Sequence, residues 1–144
     1  MTTDTARHRA VALVRSYYAA FNRGDWAAMT TLLTDDVAHD LNQGPRETGR
    51  PAFDAFLARM QRSYRERLED IVVMADDDGL RAATEYVVHG EYLADDPGLP
   101  PANGQRYVLP GGGFFTLREL ENGELRIARV SNYYYLEDWV AQVK

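Results

Sequence analysis

The sequence predicts one α+β domain in which three N-terminal helices pack on one face of a curved antiparallel sheet. Apolar residues recur at helical spacing through much of the first 65 residues and alternate with a period of two after Leu68. Two dipeptides typical of tight hairpins, Asp78-Gly79 and Asn122-Gly123, divide the second half into strands that run in opposite directions. The 144 residues are enough for a single domain with a hydrophobic core, and no repeat or linker divides them.

Three segments carry apolar side chains at the spacing of one helix face and are predicted as helices: residues 5–23, 26–33 and 50–65. Gly24 ends the first helix, because glycine readily adopts the left-handed conformation that follows a last turn. Asp25 is placed to cap the second helix, and Pro51 suits the first turn of the third. The charged run over residues 62–70 is interpreted as the solvated face at the end of the third helix.

Strands are predicted around Asp40 and over four later segments: residues 71–74, 81–93, 107–120 and 125–135. The third of these later strands contains Pro110 followed by three glycines, which indicates a bulge or a sharp bend. Residues 95–105 hold three prolines and two glycines and are expected to form an exposed loop, a candidate lid over a pocket. Residues 136–144 fit either a short helix or an edge segment.

The net charge of −6 argues against nucleic acid and acidic membrane surfaces as partners, because both require a basic face. The chain contains no cysteine and its three histidines show no ligand spacing, so no metal site is predicted. No helix is predicted after Gly111-Gly112-Gly113 to receive a phosphate, and we expect no cofactor. The N-terminal residues lack the apolar core of a secretion signal, and no stretch of about 20 apolar residues could span a membrane. We therefore expect a cytoplasmic protein.

The strand around Asp40 carries the first candidate for chemistry. Alternation gives this strand two faces, with Ala38, Asp40 and Asn42 on one and Val37, His39 and Leu41 on the other. A carboxylate that faces a pocket could act as a general base toward an acidic C–H bond, whereas one that faces water would be ordinary surface charge. Asn42 shares the face of Asp40 and could orient that carboxylate or a substrate. His39 is expected on the outside.

Four segments of the chain resemble the nuclear transport factor 2-like superfamily, especially its SnoaL-like and ketosteroid isomerase-related members. The segments are SYYAAFNRGD at residues 16–25, LLTDDV at residues 32–37, GRPAF at residues 49–53, and the ending over residues 123–135. The resemblance covers nearly the whole chain. It implies a cone-shaped fold, in which a strongly bent antiparallel sheet wraps on three helices and leaves a pocket at the open end. It does not decide the function, since the superfamily includes isomerases, cyclases, dehydratases, hydrolases and proteins without activity.

The resemblance to ketosteroid isomerase, taken residue by residue, implies catalytic roles for Asp40 and Tyr17. Asp40 matches the base that removes a proton next to a carbonyl group, and Tyr17 matches the tyrosine that donates to the resulting oxyanion. The third residue, a protonated acid, would fall at Gly113 or a neighbour, where this chain has no carboxylate. His89 is a candidate replacement donor, although alternation places it opposite Tyr86.

Aromatic residues make up 11% of the chain, and many of them lie on the predicted strands. Tyr86, Tyr107 and Phe115 are candidates for a pocket wall, which suits a flat, mostly apolar ligand that carries oxygen. The same rings could instead fill the core or form a dimer face. We expect a homodimer through the outer face of the sheet, where Val130 and Tyr134 would form an apolar patch on the last strand.

Two functions remain open. The first is cofactor-independent acid–base catalysis on a small hydrophobic carbonyl compound, as the resemblance to ketosteroid isomerase implies. The second is a non-catalytic module that binds a small ligand or supports assembly. The surroundings of Asp40 distinguish the two. An apolar pocket would raise the pKa of Asp40 and favour catalysis, whereas pairing with Arg46 or Arg50 would favour the binding module.

Overall fold

The computed structural model describes residues 2–42 and 44–144, and within them it shows four helices and six strands. The helices are α1 (Thr3–Asn22), α2 (Trp26–Thr30), α3 (Arg50–Ser63) and α4 (Leu136–Val143). The strands are β1 (Leu33–Leu41), β2 (Glu47–Thr48), β3 (Tyr64–Ala75), β4 (Arg81–Tyr92), β5 (Gln105–Glu119) and β6 (Leu125–Tyr134). The predicted α+β class is confirmed, and the last segment is a helix. None of the helices in the described residues combines the length and the apolar character needed to cross a bilayer.

The six strands form one curved, unclosed sheet in the order β2-β1-β6-β5-β4-β3. The antiparallel arrangement predicted after Leu68 is confirmed, because β3 to β6 pair consecutively in that sense. Glycines with positive φ lie in two of the reversals, Gly79 at +69° and Gly123 at +85°. The sheet as a whole is mixed, since β1 pairs with β6 in parallel. No turn joins β1 to β6, so the local patterns that predict hairpins give no sign of this pairing.

The ends of the first two helices follow their predicted signals. Gly24 adopts a φ of +70° directly after α1. The carboxylate of Asp25 accepts a hydrogen bond from the backbone N–H of Ala28 at 3.1 Å and so caps α2. α2 nevertheless ends earlier than predicted, because Leu33 already belongs to β1 and pairs with Ile127 of β6.

The charged run at residues 62–70 lies mostly in β3, so its interpretation as a helix end is wrong. Ladder pairing with β4 begins at Tyr64, directly after α3. Tyr64, Glu66 and Leu68 point to the concave side and line a cavity there, while Arg65 and Arg67 are exposed. A period of two is thus present inside the run, although arginine and glutamate also suit a helix. Long-range pairing outweighs that local preference.

Of the bulge or sharp bend predicted at Pro110 and the following glycines, the bulge is absent. β5 pairs with β4 in unbroken register from Gln105 to Thr116, and its irregularity lies between Thr116 and Leu117 on the side of β6. A methyl group at Gly112 would lie only 2.7 Å from the carbonyl oxygen of Thr84. The glycine at this position therefore serves close packing, because a side chain would not fit.

The two faces of the sheet differ in what they pack against. The helices cover the concave face, where side chains such as Val14 of α1 and Phe115 of β5 are fully buried, each contributing roughly 1.5–3 kcal/mol. Val130 is also fully buried and Tyr134 lines the cavity on this side, so their predicted place on the outer face is wrong. The exposed apolar residues on the outer face of the sheet are instead Val72, Met74, Val108, Phe114 and Tyr133.

Candidate functional site

A cavity of about 230 Å³ lies between the helices and the concave face of the sheet. Phe21 of α1 and Phe56 and Met60 of α3 form much of its apolar wall, and the sheet contributes Leu68 and Val88. Polar groups reach it from several elements: Tyr17, Tyr18, Arg59, Tyr64, Glu66, Tyr86, Asp96, Asn132 and Tyr134. A concave, mostly apolar space with a few convergent polar groups is typical of a small-molecule site.

Glu66 is the carboxyl group that the sheet itself brings to this cavity. It lies on β3 opposite Gly90 of β4, which in turn lies opposite Tyr107 of β5. The Tyr107 hydroxyl reaches across the middle strand and donates a hydrogen bond of 2.5 Å to Glu66 Oε2. Burial raises the pKa of Glu66, and the Tyr107 hydrogen bond only partly offsets this effect. Burial and the nearby Glu66 charge raise the pKa of Tyr107, so its phenol remains a donor.

Asp96 is a second carboxyl group at the cavity, on the loop between β4 and β5. Its carboxylate accepts a hydrogen bond of 2.5 Å from the Tyr64 hydroxyl. Tyr64 stacks on Tyr92 with ring centres 5.5 Å apart. The Tyr92 hydroxyl accepts from the backbone N–H of Asp96 at 3.0 Å and donates to the carbonyl oxygen of Pro100 at 2.7 Å. These bonds hold the loop, predicted as an irregular segment, against the cavity.

Tyrosine hydroxyls form another polar part of the cavity wall. Tyr18 bonds to Thr84 Oγ1 at 2.7 Å. The hydroxyls of Tyr17 and Tyr86 have no hydrogen-bond partner among the described residues, and both residues line the cavity. Burial raises the pKa of both phenols, which therefore remain protonated. Tyr17 and Tyr86 can donate to an oxygen atom of a bound ligand.

Asp40 does not line the cavity, because β1 turns its other face inward. Leu41 lines the cavity, and His39 is buried with its ring centre 4.8 Å from that of Phe53, so the prediction that His39 lies outside is wrong. Asp40, one residue away in the alternation, therefore lies on the outer face. The alternation itself was predicted correctly, but the wrong face was assigned to the pocket.

An arginine and a serine engage both oxygens of the Asp40 carboxylate. Arg46 donates from Nε to Oδ1 at 2.8 Å and from Nη2 to Oδ2 at 2.9 Å, and Ser131 Oγ donates to Oδ2 at 2.6 Å. Arg129 in turn donates to Ser131 Oγ at 2.7 Å. The Arg46 hydrogen bonds hold the pKa of Asp40 at about 2, below its ordinary value of 3.8. The expectation of a raised pKa is wrong, and the structure does not bring Asp40 and Tyr17 together.

The predicted ligand-binding residues fall into three groups. Tyr86 lines the cavity, as does the predicted catalytic Tyr17. Tyr107 acts through its contact with Glu66, and Phe115 is fully buried behind Tyr17 at a ring-centre distance of 5.7 Å.

The other two predicted residues lie away from the cavity. Asn42 Oδ1 accepts from the backbone N–H of Tyr134 at 3.1 Å and extends the contact between β1 and β6. His89 Nε2 pairs with Glu69 at 2.9 Å on the outer face. The direct roles predicted for these residues at a ligand remain predictions, although the geometry points away from them.

Sequence reasoning missed several cavity residues: Glu66, Asp96, Asn132, Tyr134 and Trp139. A signal for Glu66 was present, since it shares a period of two with the apolar Tyr64 and Leu68. Asp96 gave none, because a loop residue has no periodicity.

Comparisons with known proteins agree with this fold. A family model described as the SnoaL-like domain matches residues 14–130. A candidate polyketide cyclase from Xanthomonas campestris is 62% identical, with 96% of this chain and 99% of that chain covered and a TM-score of 0.90. A candidate polyketide cyclase from Pseudomonas putida is 59% identical, with 94% and 98% covered and a TM-score of 0.87. A nuclear transport factor 2-like protein from Burkholderia pseudomallei shares the fold at 17% identity, with 94% and 98% covered and a TM-score of 0.75. No curated protein matches this chain.

Proposed function

The chain belongs to the SnoaL-like domain family of nuclear transport factor 2-like proteins, and on that premise we propose that its cavity processes a small, mostly apolar carbonyl compound by acid–base chemistry centred on Glu66. The observation that carries the proposal is a carboxyl group that the phenol of Tyr107 holds in a largely apolar cavity, which Tyr17 and Tyr86 also line. The relatives at 62% and 59% identity are candidate polyketide cyclases, which supports ring closure as the reaction class. The chemistry needs no cofactor.

Glu66 suits the role of base better than Asp40 for a physical reason. A general base works best when its pKa lies near the working pH, and burial moves the pKa of Glu66 in that direction. The Arg46 hydrogen bonds move the pKa of Asp40 the opposite way, which makes that carboxylate a weak base. Asp40 also faces away from the apolar cavity in which a ketone would bind.

The proposed reaction begins with proton transfer from a carbon next to a carbonyl group to Glu66. The electron pair of the broken C–H bond forms the enolate, whose oxygen accepts hydrogen bonds from Tyr17 and Tyr86. One such donor lowers a barrier by roughly 3–4 kcal/mol in oxyanion sites. The enolate carbon then attacks a second carbonyl group of the same molecule and forms the new ring bond. The resulting alkoxide takes the proton back from Glu66, so that atoms and charges balance. Return of the proton to a more distant carbon would instead give isomerisation.

The direct test uses a β,γ-unsaturated cyclohexenone, whose conversion to the conjugated isomer is followed by ultraviolet absorbance. Glu66→Gln preserves the shape and removes the base, so turnover is expected to fall by about 100-fold or more. Asp40→Asn is the matched control, and its turnover is expected to stay within a few-fold of the unmodified protein. Equal turnover by Glu66→Gln and the unmodified protein would overturn the proposal. Loss confined to Asp40→Asn would return the base to the position that the resemblance implied.

A non-catalytic binding module is the second candidate, and the pairing of Asp40 with Arg46 favours it. Binding can be measured separately, because Trp139 lines the cavity and its fluorescence should report an occupant. Trp26→Phe removes the other tryptophan signal, since the chain has two tryptophans. Quenching by the cyclohexenone, in the absence of turnover by the unmodified protein, would support the binding module.

We also propose that two copies associate through the outer face of the sheet. Phe114 and Tyr133 are 47% and 41% exposed there and contact each other with ring centres 5.7 Å apart. Val108 lies farther along β5, and Val72 and Met74 extend the apolar surface onto β3. Exposed apolar surface of this kind commonly meets a partner, and a second copy presents the same patch around a two-fold axis.

A further inference from the structure

Gly90 lies beneath the ring of Tyr107 in the middle of the concave face. The three residues Glu66, Gly90 and Tyr107 are directly opposite one another on β3, β4 and β5. Tyr107 is buried, and its ring crosses β4 so that its hydroxyl can meet a carboxylate two strands away. A side chain on the middle strand would occupy the space that this ring crosses.

A side chain at Gly90 would collide with the ring of Tyr107. A methyl group built on Gly90 lies 2.5 Å from the Tyr107 hydroxyl oxygen and still closer to two of its ring carbons. Atoms without a bond do not approach so closely, so the ring would have to move. Tyr107 has little room to do so, because its ring also packs against Trp139 with centres 5.6 Å apart.

Backbone conformation does not explain the glycine. The positive-φ glycines of the described residues are found at six other positions, and Gly90 is not one of them. Gly90 belongs to the regular ladder between β3 and β5, where glycine weakens a strand and a β-branched or aromatic side chain would ordinarily be favoured. The requirement at position 90 is therefore a residue without a side chain.

We propose that Gly90 is a positioning residue, which keeps the concave face open so that Tyr107 can cross β4 and hold Glu66 for its role in the cavity. The catalytic importance of Gly90 rests on the proposed function. The contacts among Gly90, Tyr107 and Glu66 are independent of that proposal. Gly90 touches no reacting atom. It acts through Tyr107, and Tyr107 acts through one hydrogen bond.

The experiment combines turnover with a readout of Glu66 itself. The carboxyl ¹³C signal of Glu66 is followed through a pH titration in protein labelled at glutamate, and it is assigned by its loss in Glu66→Gln. Because the Tyr107 hydrogen bond lowers the pKa of Glu66, both Gly90→Ala and Tyr107→Phe are expected to raise that pKa further. Both are also expected to reduce turnover of the cyclohexenone by about tenfold, the effect of one lost hydrogen bond.

Two further variants separate positioning from general damage. Tyr107→Leu removes the distal ring atoms that the methyl group would meet, so adding Gly90→Ala to it should change neither the Glu66 titration nor the midpoint of unfolding. Gly123→Ala places a methyl group in a turn where nothing lies within 4 Å, and it controls for the cost of replacing a glycine. Gly123 has a φ of +85°, which strains an alanine, so Gly123→Ala lowers stability without contacting Tyr107. The Glu66 signal of Gly123→Ala should nevertheless titrate as in the unmodified protein.

The outcomes are distinct. A Glu66 titration that is unchanged in Gly90→Ala, or an equal effect of Gly90→Ala with and without the Tyr107 ring, would overturn the inference. A shifted titration in both Gly90→Ala and Tyr107→Phe would support it. If that shift is accompanied by full turnover in Glu66→Gln, the positioning role stands and the proposed catalysis fails.

Discussion

Asp40→Asn is expected to weaken the fold rather than the chemistry. The carboxylate accepts two hydrogen bonds from Arg46 and one from the buried Ser131, and it thereby joins the loop after β1 to β6. An asparagine keeps the shape and one acceptor oxygen, but it cannot form the charged pair with Arg46. The loss should therefore appear in the free energy of unfolding.

The magnitude follows from the pKa of Asp40. Its fall from the ordinary value of 3.8 to about 2 corresponds to roughly 2.5 kcal/mol at most. The Arg46 side chain is 55% exposed, so solvent screening reduces the contribution, and we expect about 1 kcal/mol. The sign is that of a depressed carboxyl pKa. The stabilisation is fully present above the unfolded value and is lost as the pH falls through the folded value.

Urea unfolding at neutral pH and at several values between about pH 4 and pH 2 provides the measurement. Asp40→Asn should unfold at lower urea at neutral pH and should lose less stability than the unmodified protein across the acid range. Asp54→Asn, which changes an exposed aspartate on α3, is the control and should follow the unmodified protein. Identical urea curves for Asp40→Asn and the unmodified protein at every pH would refute this reasoning.

Three further predictions concern the cavity, the core and the outer face. Removal of the proton from the cyclohexenone should become faster with increasing pH, through an inflection above the ordinary glutamate value of 4.5, because burial raises the pKa of Glu66 and the base must be ionised; a pH–rate profile with an inflection below that value would contradict it. Tyr18→Phe should lower the free energy of unfolding by about 1 kcal/mol in urea, because it removes the buried 2.7 Å bond to Thr84; an unchanged midpoint would be inconsistent with that bond. Phe114→Arg should convert a dimer to a monomer in light scattering, because it places a charge in the proposed interface; an unmodified protein that is already monomeric at micromolar concentration would rule out the interface.

The parts of the fold that sequence reasoning predicted are those specified by neighbouring residues. The capping aspartate, the glycine after α1 and the two hairpin dipeptides each act over a few positions, and each appears where it was expected. The pairing of β1 with β6 joins residues far apart in the chain, as in Leu33 with Ile127. Local propensity contains no information about such contacts, which is why the mixed sheet was not predicted.

The charged run at residues 62–70, which lies mostly in β3, shows a different limit. Arginine and glutamate suit a helix and also suit the solvated side of a strand, so composition alone does not distinguish the two. The feature that distinguishes strand from helix is the period of two over Tyr64, Glu66 and Leu68. Glu66 is the one polar residue on this otherwise apolar face. In the sequence, Glu66 looks like one more charged residue of the run. In the structure, it lies on the cavity wall.

The occupants of the inward face explain why the candidate site lies on β3 rather than on β1. In β1 the inward face is occupied by Val37, His39 and Leu41, so Asp40 must face outward. In β3 the inward face accepts Glu66 because Gly90 leaves space for Tyr107 to reach it and satisfy one of its oxygens. A buried carboxyl group without such a partner would cost several kcal/mol, on the order of the loss of an ion pair. A glycine on a central strand, opposite a tyrosine on one side and a carboxylate on the other, is thus the feature that allows this acid to lie inside the fold.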